Sequence, residues 1–302
     1  MSDAAGSFEP HRRYLTGIAY RMLGSVAEAE DVVQDAFLRW DGSDRAAVAA
    51  PRAFLARVVS RLCLDRMKSA RAQREEYVGT WLPEPLVGDA PRDPAALAED
   101  LSIALLMTLE RLSPLERAAF LLHDVFDMDY AQIADVLERS EAAVRQLATR
   151  GREHVRDERP RFHPTGDASA RLASAFQAAM LQGDVPGIAR LLAEDAILYS
   201  DGGGKRAAAL NPIRGKDRIV RFLVGLARKR RLPVPDEVIA TTINGLPGFV
   251  VRFDDGTEAG SEAGTEAGTE AGIETIALEI SDGTIAAIYT VRNPDKLRHL
   301  AQ

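Results

Sequence analysis

The sequence predicts a multidomain chain: two all-α domains, the second built around a helix-turn-helix, followed by an α+β domain. Three observations carry this expectation. Residues 1–160 read as helices divided by short breaks, with no alternating strand pattern. From about residue 167, helices give way to short runs rich in Ile, Val and Thr, the signature of strands. Between the third and fourth helices, Pro83, Pro85 and Pro91 interrupt any helical pattern and mark a linker. The boundaries read as a first helical domain at 1–79, a linker at 80–93, a helix-turn-helix domain at 94–162 and an α+β domain at 163–302.

The helices are expected near 8–23, 26–41, 51–76, 94–111, 114–126, 130–137 and 140–156. Their starts are marked by capping chemistry. Ser25-Val26-Ala27-Glu28 is a capping box, in which the Ser oxygen accepts an early helix N–H and the Glu reaches back. Ser113-Pro114-Leu115-Glu116 places proline at the first helical position, where a missing N–H costs nothing. Asp129-Tyr130-Ala131-Gln132 repeats the logic, and Asp93-Pro94 opens another helix. Trp81, in the linker, reads as exposed. The last domain is expected to hold helices at 167–182, 184–193 and 215–230. Its strands are expected at 196–200, 236–243, 248–253, 273–280 and 284–292, with a glycine turn at Gly202–Gly204. An EAG repeat recurs every four residues between two of these strands. Glycine and clustered like charge predict an expanded hairpin loop there.

Charge is unevenly distributed. The chain of 302 residues has 38 Lys and Arg against 45 Asp and Glu, a net charge of −7. Residues 254–274 alone hold two Asp and five Glu and no Lys or Arg, so the rest of the chain is balanced. Against that background, residues 57–74 carry six basic side chains and one Asp, and residues 139–161 carry seven Arg against four acids. Basic helices of this kind are what a phosphate backbone requires, and equally what a solvated helix face shows. Neither a membrane-spanning run nor an N-terminal apolar leader is read. The lone Cys63 offers no intramolecular disulfide or cysteine-based metal site, so a cytoplasmic setting is expected.

In the helix-turn-helix at 130–152, Ile133, Ala134 and Leu137 point inward on the first helix and Val144, Leu147 and Ala148 on the second. The opposite face of the second helix carries Glu141, Ala142, Arg145, Gln146, Thr149 and Arg150, a set suited to base edges and phosphates in a major groove. On helix 26–41, Asp31, Gln34, Asp35 and Leu38 fall at i, i+3, i+4 and i+7, forming an acidic face with a hydrophobic edge.

Tyr130–Arg152, preceded by Leu112-Ser113-Pro114-Leu115-Glu116-Arg117, resembles the region-4 helix-turn-helix of sigma factors. Ala19–Ser25 and Ala29–Trp40 resemble sigma region 2, in the expected order and spacing. The chain thus resembles the extracytoplasmic-function (group IV) branch of the sigma-70 family. Residues 167–302 resemble a SnoaL-like cone domain. Trp81–Pro85, Asp201–Lys205 and Asn293–Leu297 are similar to blocks of the sigma subgroup that carries this extension. The resemblance implies two protein contacts with core RNA polymerase, the β′ clamp helices and the β flap, with Asp31, Gln34, Asp35 and Leu38 on the clamp helices. It implies promoter DNA as the second partner. Arg57, Arg61, Arg66, Lys68, Arg71 and Arg74 would serve the −10 element, and Glu141, Ala142, Arg145, Gln146, Thr149 and Arg150 the −35 element. Trp81, Leu82, Pro83, Asp201, Gly202, Gly203, Gly204, Lys205, Asn293, Pro294, Asp295 and Lys296 would make regulatory contacts.

No P-loop, GxSxG or HExxH occurs, and the five histidines lack metal spacing, so neither cofactor nor metal nor catalysis is expected. Asp195 and Asp201 are the acids a cone-fold enzyme would use. Two other readings stay open: a one-component DNA-binding regulator with a small-molecule sensing domain, and an enzyme with a tethered DNA-binding module. Whether the last domain takes a small-molecule or a protein ligand also stays open.

Overall fold

The computed structural model describes residues 3–74, 77–88, 102–157, 166–228, 235–253 and 272–300. The EAG repeat, most of the segment before residue 102 and the side chains of Arg71 and Arg74 lie outside the described residues. The chain divides into two compact units, Met1–Glu76 with Ala104–Arg159, and Tyr77–Ile103 with Pro160–Gln302.

The first unit is all helix: α1 (Asp3–Leu23), α2 (Val26–Asp41), α3 (Pro51–Arg74), α4 (Ile103–Glu110), α5 (Pro114–Phe120), α6 (Tyr130–Leu137) and α7 (Glu141–Asp157). Helix α1 begins at Asp3, ahead of the expected start near 8, and runs through Pro10. Packing favours the extension. Phe8 is fully buried, edge-on to Phe37 with centroids 5.2 Å apart, and Trp40 donates its indole N–H to Ser7 at 3.1 Å. Tertiary burial of this kind outweighs the cost of an interior proline. The expected helix 114–126 is α-helical only to Phe120 and continues as a π-helical turn, Leu121–Val125. That wider turn keeps Phe120, Leu121 and Leu122 buried in succession.

Two arginines are buried in this unit, Arg21 and, deeper, Arg117. Arg117 is 1% exposed; its Nε and Nη2 donate to the carbonyl of Arg21 at 3.1 and 3.0 Å, and its Nη1 meets Glu110 at 2.7 Å. A buried guanidinium left unpaired would be strongly destabilising, so this fan of donors fixes α5 against α1 and α4.

The second unit is an α+β layer pair. Helices α8 (Gly166–Leu181), α9 (Val185–Leu191) and α10 (Lys216–Arg228) accompany strands β1 (Leu192–Asp201), β2 (Ile213–Arg214), β3 (Glu237–Ile243), β4 (Leu246–Phe253), β5 (Gly272–Ser281) and β6 (Thr284–Val291). The sheet order is β2-β1-β6-β5-β4-β3, with β1 and β6 parallel and every other pair antiparallel. Strand β1 starts at Leu192, before the expected 196, and the two-residue β2 has no counterpart in the expected strands. Strand alternation sorts the side chains. Leu198, Leu278, Ile280 and Ile288 join Phe176, Ile188 and Ile219 in the core under the helices. Tyr199 and Tyr289 occupy the other face, stacked 5.2 Å apart. There the Tyr289 hydroxyl donates to Glu279 at 2.5 Å, and burial pushes the Glu279 carboxyl above the ordinary carboxylate range.

Helices α5 and α7 cross at Gly151, where an added Cβ would meet Phe120 Cβ at 2.9 Å and the Glu116 carbonyl at 3.2 Å. Gly151→Ala is therefore expected to destabilise the helical unit by about 1–3 kcal/mol through overpacking. Its urea midpoint, followed by circular dichroism, should fall; an unchanged midpoint contradicts this packing.

Candidate functional site

Two clusters gather the candidate residues, one in each unit. In the helical unit, Ser25 caps α2 by accepting the Glu28 N–H at 3.2 Å. Ala29, Val32, Val33, Ala36 and Trp40 are buried. This leaves Asp31, Gln34 and Leu38 exposed and Asp35 half-exposed, Leu38 being 60% exposed despite its apolar side chain. Arg66 of α3 lies among them: its guanidinium reaches Asp31 at 3.5 Å, Asp35 at 3.3 Å and the Glu28 carbonyl at 3.3 Å.

Arg57, Arg61 and Lys68 of α3 also have partners. Arg61 donates to the carbonyls of Asp135 at 2.7 Å and Val136 at 3.4 Å and lies 3.4 Å from the Glu138 carboxylate; Arg57 lies 3.8 Å from Asp135. These partners form the C-terminal end of α6, where free carbonyls and the helix dipole favour a cation. Lys68 pairs with Asp65 at 3.2 Å on an exposed surface. Among the described side chains, the basic residues of α3 thus divide between two neighbours. Arg57 and Arg61 face α6, and Arg66 faces α2.

The second helix of the helix-turn-helix, α7, is capped by Ser140, whose hydroxyl accepts the Ala143 N–H at 3.3 Å. Val144 and Ala148 are fully buried. Glu141, Ala142, Arg145, Gln146, Thr149 and Arg150 are all exposed together, as the sequence spacing requires. Arg145, Gln146, Thr149 and Arg150 line an open groove of about 340 Å³. Arg145 is held ready by Glu141 at 2.9 Å and by the Tyr130 ring, 4.9 Å beneath its guanidinium.

Behind this face stands a group that sequence reasoning passed over. Tyr130 stacks on His123 at 4.0 Å and accepts from Arg152 at 2.9 Å; Arg152 also meets Asp124 at 2.5 Å. The hydrogen bonds to Asp124 and Tyr130 raise the pKa of Arg152 further. Tyr130 was legible only as the first residue of a capped helix, and Asp124 and His123 sit in the π-helical turn.

In the second unit the cluster centres on Asp201 at the end of β1, which is 0% exposed. Its carboxylate accepts from the Leu82 N–H at 2.8 Å, the Gly203 N–H at 3.1 Å and the Tyr77 hydroxyl, and pairs with Lys296 at 2.7 Å. Lys296 also donates to the Leu82 carbonyl at 2.5 Å and lies 4.9 and 4.5 Å from the Tyr77 and Trp81 ring centroids. Asn293 donates to the Tyr77 hydroxyl at 2.9 Å, and Lys205 meets Asp295 at 2.5 Å. Gly203 has φ 59°, and a Cβ there would overlap the Asn293 amide at 2.2 Å, so both the turn and the close approach require glycine. Burial, then the neighbouring Asp201, pushes the Tyr77 phenol up, keeping it a donor.

Residues 77–88 therefore form a strap on this unit. Beyond Leu82, Leu86 exchanges hydrogen bonds with Asn244 at 3.2 and 2.9 Å, and Gly88 donates to the Thr242 carbonyl at 3.1 Å. The His299 ring lies 3.1 Å from Glu84 and 3.0 Å from the Pro85 carbonyl. Leu82, Pro83, Glu84 and Pro85 are buried, and Trp81 is half-buried rather than exposed, because Lys296 lies against its ring. The structure thus brings Trp81, Leu82, Asp201, Gly203, Asn293 and Lys296 around one carboxylate. Gly202 and Pro83 are buried beside them; Pro294, Gly204 and Lys205 lie at the exposed rim. Tyr77, Asn244 and His299 are additions that the sequence did not single out. Asp195 is exposed, away from this cluster. Among the described residues no group of three His, Cys, Asp or Glu side chains is placed to hold a metal, and no helix is long and apolar enough to cross a membrane.

Comparison with known proteins fits a transcription initiation factor with two helical modules. The family model described as sigma-70 region 2 matches residues 8–73, and that described as sigma-70 region 4 matches 102–155. The ECF RNA polymerase sigma factor SigJ of Mycobacterium tuberculosis is 40% identical, the alignment spanning 96% of this chain and 91% of SigJ. The probable ECF sigma factor SigI of the same organism is 38% identical, across 51% of this chain and 55% of SigI. The crystal structure of M. tuberculosis SigJ superposes with a TM-score of 0.75 at 37% identity, covering 97% of this chain and 98% of that one. The chain belongs to the sigma-70 family, in its extracytoplasmic-function branch. It is an alternative sigma factor directing transcription, and its family binds core RNA polymerase and promoter DNA. The family is not an enzyme class.

Lys296→Met would strand a buried carboxylate without its cation, which is expected to cost the second unit about 3–5 kcal/mol. Adding Asp201→Asn should recover much of that loss, because the neutral pair needs no compensation. A urea denaturation series over the two single variants and the double variant measures the coupling, and strict additivity contradicts the ion pair.

Proposed function

We propose that the exposed face of α2 is the polymerase-binding surface, with Asp31, Gln34, Asp35 and Leu38 on the β′ clamp helices, and that the helix-turn-helix domain also docks on the β flap. Glu141, Ala142, Arg145, Gln146, Thr149 and Arg150 read the −35 element, Arg145 pairing with a guanine edge. Arg57, Arg61, Arg66, Lys68, Arg71 and Arg74 serve the −10 element. Arg57, Arg61 and Arg66 then exchange their present partners for phosphates; exposed ion pairs are worth about 0–1 kcal/mol, so the exchange is inexpensive. The observation that carries the reading is the shared exposure of all six α7 side chains on one capped helix.

The sigma core comprises domains 1–79 and 94–162, and domain 163–302, SnoaL-like in its sequence pattern, modulates it by holding the 80–93 linker. The Asp201 cluster supports this role, because that carboxylate binds Leu82 of the linker and Tyr77 just before it. The protein acts in the cytoplasm and performs no catalysis.

A single experimental series tests these assignments. Asp31→Ala and Asp35→Ala are expected to weaken core-polymerase binding without changing DNA preference. Arg145→Ala is expected to change preference at one −35 position, by about 1–3 kcal/mol, while leaving core binding intact. Core binding that is indifferent to α2, or promoter choice indifferent to Arg145, contradicts the corresponding assignment.

A further inference from the structure

Helix α10 of the second unit is sharply two-sided. Ile219 is fully buried, and Phe222 and Leu223 pack on the apolar core. Around the helix from them, Arg218, Arg221 and Arg228 stand at i, i+3 and i+10, all exposed, with Arg214 exposed just before the helix. Gly225 falls at i+7 in the same row, with nothing within 4 Å of where its Cβ would be, so this face is open. At about 1.5 Å per residue the row spans about 15 Å.

The charge on this row is unspent. Among the described residues no carboxylate stands within ion-pair distance of Arg218, Arg221 or Arg228; Arg221 donates only to the Asp217 backbone carbonyl, at 3.2 Å. Lys216, off the row, is already paired with Glu194 at 2.9 Å. Asp217 is the one acid within the helix itself. Arginines in a row suit phosphates, which they meet with paired donors. An interfacial membrane helix needs its apolar side turned outward, but here that side is committed to the core and the outward side offers charge alone.

We infer that the outer face of α10 is a nucleic-acid contact surface, on which Arg218, Arg221 and Arg228 bind backbone phosphates of duplex DNA without reading sequence. This surface gives the α+β domain its own hold on DNA. The inference requires that the protein bind DNA, but it does not depend on the α7 assignment.

The test uses the full-length protein with Arg218, Arg221 and Arg228 all changed to Ala, and measures binding to a promoter duplex and a scrambled duplex across a salt series. Both affinities are expected to fall by a similar factor, about tenfold or more at low salt. The slope of log K against log salt is expected to flatten by up to about 2.7, at about 0.9 per phosphate contact. The ratio between the two duplexes should hold, and an all-lysine version should retain most binding. If the triple variant fails to fold by circular dichroism, Arg218→Ala with Arg228→Ala is measured instead, with a flattening of up to about 1.8 expected. Unchanged affinity and slope overturn the inference. So does a loss confined to core-polymerase binding, or one confined to vesicles of mixed neutral and anionic phospholipid. Arg145→Ala runs alongside. If it alters promoter preference while the α10 variant alters nothing, only the α10 inference falls; if neither protein binds DNA at all, the promoter-binding reading falls too.

Discussion

The carboxylate of Asp201 is wholly withdrawn from water and must be satisfied inside the protein. Strand β1 alone cannot do this. The partners come from the glycine turn that follows, from Lys296 near the C-terminus and from Tyr77 and Leu82 far upstream. One electrostatic requirement thus draws three remote segments together. It also decides where residues 77–88 belong: they group with the sheet that follows them by more than a hundred residues.

The helical unit follows a different electrostatic rule. Arg117 is buried and fixed, so its bonds to the Arg21 carbonyl and Glu110 define the packing of α5. Arg57, Arg61 and Arg66 are partly exposed and held by weak, solvent-screened pairs. The first kind of contact specifies architecture. The second kind is weak enough to leave these cations open to exchange. Arg145 combines both features, steadied by Glu141 and Tyr130 yet open to solvent.

Legibility in the sequence tracked the range of the interaction. Helices α2 and α6 appear at 26–41 and 130–137 as their capping chemistry and apolar spacing required. The outward faces of α2 and α7 were equally readable, because side-chain direction on a helix follows from position alone. What stayed hidden depended on contacts between distant residues. Trp81 could not be seen as covered, since its cover is Lys296. Asp31 and Asp35 could not be seen to share Arg66. The π-helical turn after Phe120 and the two-residue β2 leave no periodic signal. The three blocks at Trp81, Asp201 and Asn293 were recognised as related, but Tyr77, Asn244 and His299, which complete the strap's attachment, were not. Each of these three makes its bonds across at least 124 residues.

Residues 77–88 are a structural part of the α+β unit, secured by Asp201. Hydrogen exchange at the amides of Leu82, Leu86 and Gly88 in the full-length protein tests it most directly, because each of these N–H groups has a partner in that unit. Protection comparable to that of the β5 and β6 amides is expected, with the Leu82 protection lost in Asp201→Ala. Exchange of these amides at the rate of free chain in the unaltered protein would contradict it.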